Sequence, residues 1–385
     1  MEVKQLHPLV NAATKEVLGD GGIIAEDMSN LVDIGDAIFN AEAVDRYVRA
    51  LVNQVGKVVF VNRVYAGSAP SVLMDGWEYG SILEKIRVEL PDASENESWE
   101  LVDGASYDPN IFHKPRVSAK FFNKRITFEI DISITEMQVK QSFQNSTQLN
   151  AFVSMIFNSV ENSMTLKLDS LVMRTINNFI AETLYNQFTN GKYSEGSGVR
   201  AVNLLYLYNQ KFPNANIDAG DAMTNPEFIR FMSMTMANYV KRMATFSTLF
   251  NIGKTTKFTP SDRLHIVMLA DVMSAAGAYL QSDTFHEQFT ALPKAETVPF
   301  WQASGENYTF DEISSINVAT ASGHTVNANG IVCVMFDREA LGVTNMDRRV
   351  RTNYNGKAEF MNYFYKYDAG YFNDLDENFV VFYIA

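Results

Sequence analysis

An apolar pattern running from about residue 146 to residue 188 constrains this chain more than any other feature of its sequence. Apolar side chains recur there three and four positions apart, the spacing of one face of an α-helix, and Ser146 or Thr147 can cap the first turn. They are Leu149, Phe152, Val153, Ile156, Val160, Met164, Leu168, Leu171, Val172, Ile176, Phe179, Ile180 and Leu184. At about 1.5 Å per residue, roughly 40 residues make a rod of about 60 Å, whereas an average helix has about 11–12 residues. The pattern predicts a rod lying along an extended protein, as suits mechanical or assembly work.

A period-2 strand at 126–134 leads into this helix, and it closes a candidate long hairpin over residues 79–134. The rising strand alternates apolar with charged residues up to Leu90, and the returning strand covers about 116–134. The connection at 91–115 is long and polar, whereas a hairpin loop usually has about 2–5 residues. We therefore expect the connection to contact a partner, and the long helix to pack on a sheet formed by 116–134 and the C-terminal strands.

Composition bounds the class of protein. A chain of 385 residues with 46% hydrophobic and 12% aromatic residues has enough apolar surface for two or three subdomains. The net charge of −13 argues against tight binding of a phosphate backbone. The lone Cys333 excludes an intrachain disulfide and fits a reducing compartment. No apolar run reaches the roughly 18 residues of a membrane span, so no membrane partner is expected.

The rest of the chain reads as mixed α and β without strict βαβ repetition, so an α+β fold is predicted. Residues 1–30, with a break at 19–22, look like an irregular, extended arm. Further elements are predicted as helices at 33–55, 225–245 and 271–281, as strands at 58–64, 264–269, 331–336 and 379–384, and as a polar, Tyr-rich stretch before the last strand.

Catalytic chemistry finds little support in the sequence. Cys333 lies within an apolar run and reads as a buried hydrophobe, and the five histidines have no metal-ligand spacing. The 253–255 segment lacks the first glycine of a phosphate loop, and the glycines at 196–198 follow no buried strand. Acidic pairs such as Asp36 with Glu42 and Glu95 with Glu97 read as solvated surface. No catalytic, cofactor-binding or metal-binding residue is predicted, although a site assembled from distant positions stays open.

The order of these parts resembles a known family. Arm, helix, long hairpin, long helix, α+β platform and returning strands occur in the major capsid proteins of tailed bacteriophages, which have the Hong Kong 97-type shell fold. The stretches that carry the resemblance are 77–91 (Trp-Glu-Tyr-Gly-Ser-Ile-Leu onward), 284–293 with 299–301 (Pro-Phe-Trp), 336–342 (Phe-Asp-Arg-Glu-Ala-Leu-Gly), and 368–370 with 377–382. No single stretch is diagnostic, but their joint order is fairly specific.

The resemblance implies an organisation and a function. It implies an N-terminal arm at 1–65, an extended loop at 66–125 that reaches over a neighbour, a peripheral domain with the spine helix at 126–199, an axial domain at 200–335, and peripheral return strands at 336–385. The implied function is that of a non-enzymatic head protein, without cofactor, that self-assembles through pentamers and hexamers into the icosahedral shell around double-stranded DNA. It would be assembled in the cytoplasm of a bacterial host and located in the virion. The DNA would be enclosed without sequence-specific binding.

Departures from the family prototype suggest further partners. Residues 1–30 are too short and irregular to be the scaffolding segment that some members carry, so a separate scaffolding protein is expected, together with a portal protein and possible decoration proteins. No lysine occurs between Leu90 and His113, and Lys114 is poorly placed, so isopeptide crosslinks are not expected. The alternatives are an encapsulin-type nanocompartment shell and, from another class, a soluble α+β enzyme with an unrecognised site.

Charge suggests one contact between subunits. Residues 91–113 carry no Lys or Arg but contain Asp92, Glu95, Glu97, Glu100, Asp103 and Asp108. The densest basic cluster contains Arg348, Arg349 and Arg351, with Lys357 nearby. Both sets can simply be solvated faces. With the family resemblance, the hypothesis is that the acidic loop of one subunit meets the arginines of the next and sets register during assembly.

Overall fold

A computed structural model describes most of the chain. The described residues are 3–19, 23–25, 29–40, 46–47, 50, 69–74, 83–88, 90–91, 93, 95, 103–104, 110–138, 146–189, 191–281, 294–320 and 323–385. Two sheets are joined by short connections, and one long helix packs against both. The mixture of helix and sheet without strict βαβ repetition confirms the α+β prediction.

The first sheet has four strands in the order β1–β11–β12–β4. They are β1 (Leu73–Met74), β4 (Arg125–Thr135), β11 (Leu341–Asn355) and β12 (Phe360–Asn373). β4 and β11 each pair antiparallel with β12, and β1 pairs parallel with β11. Along β4 the isoleucines and Phe128 point inward while the residues between them are exposed, which confirms the predicted period of two.

The second sheet has five strands in the order β5–β13–β10–β6–β7. They are β5 (Ala201–Asn203), β6 (Leu264–Leu269), β7 (Glu296–Val298), β10 (Ile331–Asp337) and β13 (Phe379–Tyr383). β10 and β13 are buried along their whole length, as continuous apolar runs predict for strands covered on both faces. The strands expected at 264–269, 331–336 and 379–384 are thus confirmed.

The long helix is α3 (Ser146–Gln187), 42 residues in one piece. It contacts β4, β11 and β12 of the first sheet and β5 and β13 of the second. Phe179, which is fully buried, stacks on Phe379 with ring centroids 4.1 Å apart, and Phe379 stacks in turn on Phe336. The predicted rod is confirmed, and it packs on both sheets rather than one.

Shorter helices complete the platform around the second sheet. They are α4 (Leu204–Lys211), α5 (Ala219–Ala222), α6 (Pro226–Met243), α7 (Ala270–Gln281) and α8 (Phe310–Ile313). The α6 prediction is confirmed in detail. Pro226 occupies its first turn, and the Asn225 side chain accepts hydrogen bonds from the backbone N–H groups of Glu227 and Phe228, so the cap satisfies two donors that a helix start leaves unpaired.

The prediction of an irregular segment at 1–30 is wrong. Residues 3–18 form a helix, α1 (Val3–Leu18), which continues through Pro8. Val10, Ala13 and Thr14 are fully buried at helical spacing, and Thr14 Oγ1 donates to Val10 O at 2.8 Å. Burial of this face outweighs the roughly 3 kcal/mol that proline costs inside a helix.

The helix predicted at 33–55 is described in part, as α2 (Leu31–Asn40) and the helical residues 46–47 and 50. The strand predicted at 58–64 lies outside the described residues.

The predicted hairpin is real, but its returning strand is divided. β2 (Leu83–Val88) pairs antiparallel with β3 (Val117–Phe122), whereas residues 125–135 belong to β4 in the first sheet. The chain changes sheet at Asn123 and Lys124. A second, small hairpin is formed by β8 (Ile316–Ala319) and β9 (Thr325–Ala328).

The C-terminal region forms strands, but its last strand pairs differently from the expectation. The polar, Tyr-rich stretch forms the long strands β11 and β12, and in β12 Tyr363, Tyr365 and Tyr367 alternate inward and are buried. The final strand does not return to the sheet that contains β4. β13 pairs instead with β10 and β5 of the second sheet, so the part of the chain after residue 336 contributes strands to both sheets.

Candidate functional site: the charged root of the hairpin

The β2–β3 hairpin has an unusual distribution of side chains. Lys85 and Arg87 point toward the body of the subunit and are mostly buried, while Ile86 and Val88 point outward and are each 64% exposed. On β3 the same alternation leaves Val117 and Phe121 exposed. A strand normally buries its apolar face, so this hairpin is reversed: its cations face the protein and its apolar face is open.

The inward arginine meets three carboxylates. Arg87 Nη1 donates to Asp376 Oδ2 at 2.8 Å, and Arg87 Nη2 donates to Glu377 Oε1 at 2.6 Å. Nη2 also bonds Asp374. A planar guanidinium has several donors in fixed directions, so one side chain can tie these three acids together.

Two lysines of the hairpin bind the same acids. Lys85 Nζ lies 3.3 Å from Asp374 Oδ2, and Lys120 Nζ lies 3.2 Å from Asp374 Oδ1. Lys120 also pairs with Asp376, and Lys85 donates to the carbonyl of Glu339. The side chain of Asp374 is fully buried, so hydrogen-bonded cations are needed to offset the loss of water around it.

The acids lie in the short connection at 374–378, where the chain passes from β12 to β13. This connection is fixed by hydrogen bonds from the backbone N–H groups of Ile252 and Gly253 to the carbonyl of Leu375, both at 3.0 Å. A Cβ on Gly253 would lie 1.9 Å from Asp376 Oδ1, so only glycine allows this approach. The hairpin is therefore clamped to the junction between the two sheets.

Within the cluster, the pKa values of Asp374 and Glu377 are shifted in opposite directions. Burial raises the pKa of Asp374, but the charges of Lys85, Arg87 and Lys120 outweigh that effect and hold the pKa below its usual value. Burial dominates at Glu377 and leaves the pKa of its carboxyl raised, although Lys257 and Arg87 oppose the shift. Glu377 therefore takes up a proton before Asp374 as pH falls.

A cleft of about 580 Å³ opens beside the clamp. Its apolar lining comes from Val88 and Leu90 on the hairpin side and from Phe246, Phe258 and Pro260 on the other. The rings of Phe246 and Phe258 pack with centroids 4.5 Å apart. The volume falls within the range of about 300–1,000 Å³ that is usual for binding pockets.

The acidic residues proposed to contact a neighbouring subunit lie mostly beyond the described part of the chain. Glu95 is described and exposed. Asp92, Glu97 and Glu100 lie outside the described residues.

The arginines proposed for the same contact lie in β11. Arg348 pairs with Tyr367 through the backbone, and its side chain is outside the described part. Arg351 is exposed. Arg349 Nη1 donates to Asp368 Oδ2 at 2.8 Å. Burial raises the pKa of Asp368, but hydrogen bonds from Arg349 and Thr127 leave it lowered. Arg349 thus already has a partner within its own subunit, and the contact between subunits remains a prediction.

The residues screened for catalysis have structural positions. Cys333 is fully buried in β10, and burial raises the pKa of its thiol. The 253–255 segment holds the 374–378 connection, with Thr255 Oγ1 donating to the carbonyl of Asp376 at 2.8 Å. In the described ranges, no group of three His, Cys, Asp or Glu side chains is arranged for a metal ion. The same ranges contain no helix long and apolar enough to cross a membrane.

Sequence reasoning missed the clamp. Its two halves lie almost 290 positions apart in the chain, and no local pattern links positions that distant. One signal was present. Asp374, Asp376 and Glu377 lie within four positions of one another, and no Lys or Arg follows Lys366 in the sequence, so any cation that pairs with these acids has to come from elsewhere in the chain.

Known proteins share the sequence pattern and the fold. Residues 10–383 match the family model described as Phi29-like phage major capsid protein. The capsid structure of Staphylococcus phage Andhra is similar with a TM-score of 0.50 and 10% identity, over 84% of this chain and 86% of that chain. A structure of the head fibre and inner core protein gp22 of bacteriophage P68 gives a TM-score of 0.47 and 10% identity over 84% and 86%. The capsid of cyanophage P-SCSP1u gives 0.44 and 10% identity over 84% and 88%. No curated protein matches the chain.

The resemblance inferred from sequence is thereby confirmed. The fold is of the Hong Kong 97 type, as the likeness to the Andhra capsid shows, and the family match covers nearly the whole chain. The chain belongs to the Phi29-like phage major capsid protein family, and it is a major capsid protein that forms the head shell of a tailed bacteriophage.

Proposed function

We propose that this subunit builds an icosahedral shell from pentamers and hexamers and acts as a non-enzymatic wall around double-stranded DNA. The reversed hairpin carries this proposal. Its cations are used inside the subunit, where they fix the hairpin to the junction of the two sheets, and its apolar face is left open. An exposed apolar face of this kind marks an interaction surface, as self-assembly requires.

The proposal includes the organisation inferred from the family. Residues 1–65 act as an arm, 66–125 as the extended loop, 126–199 and 336–378 as the peripheral domain, and 200–335 as the axial domain. The last strand, 379–383, belongs with the axial domain in this proposal, because β13 pairs with β10 and β5. A separate scaffolding protein, a portal protein and possible decoration proteins complete the set of partners.

The acidic net charge supports a wall that encloses DNA without gripping it. With a formal charge of −13 per subunit, the shell as a whole repels a phosphate backbone, whereas tight binding needs an excess of cations that release its counterions. Binding of purified subunits to duplex DNA at about 0.15 M salt should therefore be undetectable in a mobility-shift assay. Tight binding would contradict this part of the proposal.

Electron microscopy of purified particles tests the function itself. A large shell with one portal vertex is expected. A small shell of uniform size that contains a protein cargo would favour the encapsulin-type alternative. The family match to phage capsid proteins supports the first outcome. A chain that stays monomeric or dimeric in size-exclusion chromatography under all conditions would contradict assembly.

We further propose that Asp92, Glu95, Glu97 and Glu100 of one subunit meet Arg348, Arg349 and Arg351 of the next. Each exposed pair contributes only about 0.2–1 kcal/mol, but a shell repeats the contact, and complementary charge selects the correct neighbour. Assembly should therefore weaken as salt rises. Conversion of the three arginines to Glu should prevent it.

The intrachain pair between Arg349 and Asp368 shapes the control. Reversal of Arg349 also breaks that pair, so loss of assembly alone does not identify the neighbour's loop. Glu95→Lys, Glu97→Lys and Glu100→Lys in the same chain should restore assembly in part, which a damaged fold would not allow. Normal assembly of the arginine variant at both low and high salt would refute the contact.

A further inference from the structure

One apolar side chain in the connection of the hairpin stands out by its exposure. Phe112 is 84% exposed, more than any other large apolar residue in the described part of the chain, and Ile111 beside it is exposed as well. Both lie just before β3, on the returning arm of the 91–115 connection. Two adjacent apolar side chains held in water are a feature that a partner is expected to cover.

The same subunit contains a cavity of matching chemistry elsewhere. The cleft beside the clamp is lined by Val88, Leu90, Phe246 and Phe258, and Phe246 is itself 60% exposed. Phe112 does not line this cleft in its own subunit. Phe112 therefore leaves this cleft unfilled within its own copy.

Symmetry then identifies the occupant. A patch that fits a different patch on an identical molecule makes a heterologous, head-to-tail contact, which closes into rings or shells when the rotation allows. The family of this chain forms such a shell. A second copy of the chain is therefore the partner that supplies Phe112 to the cleft.

Charge favours the same occupant. The 91–113 connection carries six carboxylates and no Lys or Arg; of these, Glu95 and Asp103 are described and exposed. Lys254 is exposed at the cleft and makes no ion pair with any described residue. An acidic segment that inserts an aromatic side chain would meet an apolar wall and the Lys254 ammonium together.

We infer that Ile111 and Phe112 of one subunit insert into the cleft formed by Val88, Leu90, Phe246 and Phe258 of the next, with Lys254 facing the acidic residues of the inserted loop. This inference deepens the proposed function, because it assumes that the hairpin loop reaches a neighbour. It differs from the arginine contact in using the returning arm of the loop and, on the receiving subunit, the cleft between the hairpin root and residues 246–260.

Site-directed crosslinking in intact particles tests the contact. Cys333 is the one cysteine of the chain and is buried, so introduced cysteines are the reactive ones. A chain with Phe112→Cys and Phe246→Cys, treated with a short bismaleimide, should give a ladder of covalent multimers after denaturation. Each single variant should stay monomeric. Leu166→Cys with Phe246→Cys is the matched control, because Leu166 is similarly exposed but lies on α3.

Each other outcome overturns the inference. Absence of a ladder in well-formed particles excludes the contact, and an equal ladder from the control pair shows that crosslinking is unspecific. Dimers from Phe112→Cys alone show that two loops meet each other instead of entering a cleft. Wild-type particles viewed by electron microscopy report on the proposed function separately, so failure of the contact is distinguishable from failure of assembly.

Substitutions provide a second measurement that does not depend on crosslinking. Phe112→Ser should raise the subunit concentration at which shells form by about tenfold or more, because the free energy gained by burying a large apolar side chain corresponds to more than a tenfold change in affinity. Lys254→Glu should also raise it, by less. Leu166→Ser should leave it unchanged. Circular dichroism should show all three variants folded, because the three side chains are exposed; an unchanged assembly threshold for Phe112→Ser would refute the insertion.

Discussion

Arg87→Met should destabilise the subunit through the clamp at the hairpin root. Only 14% of the Arg87 side chain is exposed, and its partners Asp374 and Glu377 are almost completely buried. Removing one partner from a buried ion pair typically costs about 3–5 kcal/mol, because a charge is left buried without compensation. Lys85 remains 3.3 Å from Asp374, and Lys257 remains 3.3 Å from Glu377. We therefore expect a loss near the lower end, about 3 kcal/mol.

Urea unfolding of purified, unassembled subunits, followed by circular dichroism, measures this loss. Lys192→Met is the matched control, because Lys192 and its partner Glu195 are both exposed and such pairs contribute about 0.5 kcal/mol or less. Adding Glu377→Gln to Arg87→Met should recover part of the stability, since the side chain left behind is then neutral. The reasoning fails if Arg87→Met is no more destabilising than Lys192→Met.

The other predictions concern the core, the backbone and pH. Phe179→Asp would bury a charge against the Phe379 ring, 4.1 Å away, at several kcal/mol, so subunits should be insoluble or unassembled in sedimentation; normal shells would refute the packing of α3. Gly330→Ala should lower the free energy of unfolding by more than about 2 kcal/mol in urea titrations, because φ is +72° and the new Cβ would lie 1.8 Å from a backbone oxygen. Gly323→Ala, at a φ of +84° but in open space, should cost only about 1 kcal/mol. Burial lowers the pKa of His265, so the unfolded chain binds more protons below about pH 6.5 and stability should fall there; His265→Gln should lose this dependence in titrations from about pH 7 to 5.

Elements with a long, uninterrupted period could be predicted from sequence. α3 repeats its apolar spacing along a helix of 42 residues, which is about 12 turns, and β10 is apolar from Ile331 to Phe336, so no tertiary contact is needed to recognise either. α1 was missed because Pro8 interrupts a short pattern, and its helical conformation depends on burying Val10 and Ala13.

The clamp and the strand pairing could not be predicted for a different reason. Arg87 carries no sign in its own neighbourhood that it will meet Asp374, and the alternation of β2 does not by itself say which face is buried. The acids at the junction of the two sheets bury the charged face. In β12, tyrosines at every second position were read as a polar stretch, although the ring of a tyrosine buries much apolar area.

The place of β13 in the second sheet has a kinetic consequence. Phe336 pairs with Phe379 and Ala201 pairs with Val381, so β13 joins neighbours that lie 43 and 180 positions away. Loop closure must precede such pairing, and folding dominated by non-local contacts is slow. Until β13 arrives, β5 and β10 offer unpaired apolar edges, which other chains can occupy. The pairing of β13 thus competes with aggregation during synthesis. The yield of soluble subunit should therefore depend more on temperature and chain concentration than on the stability of the finished fold.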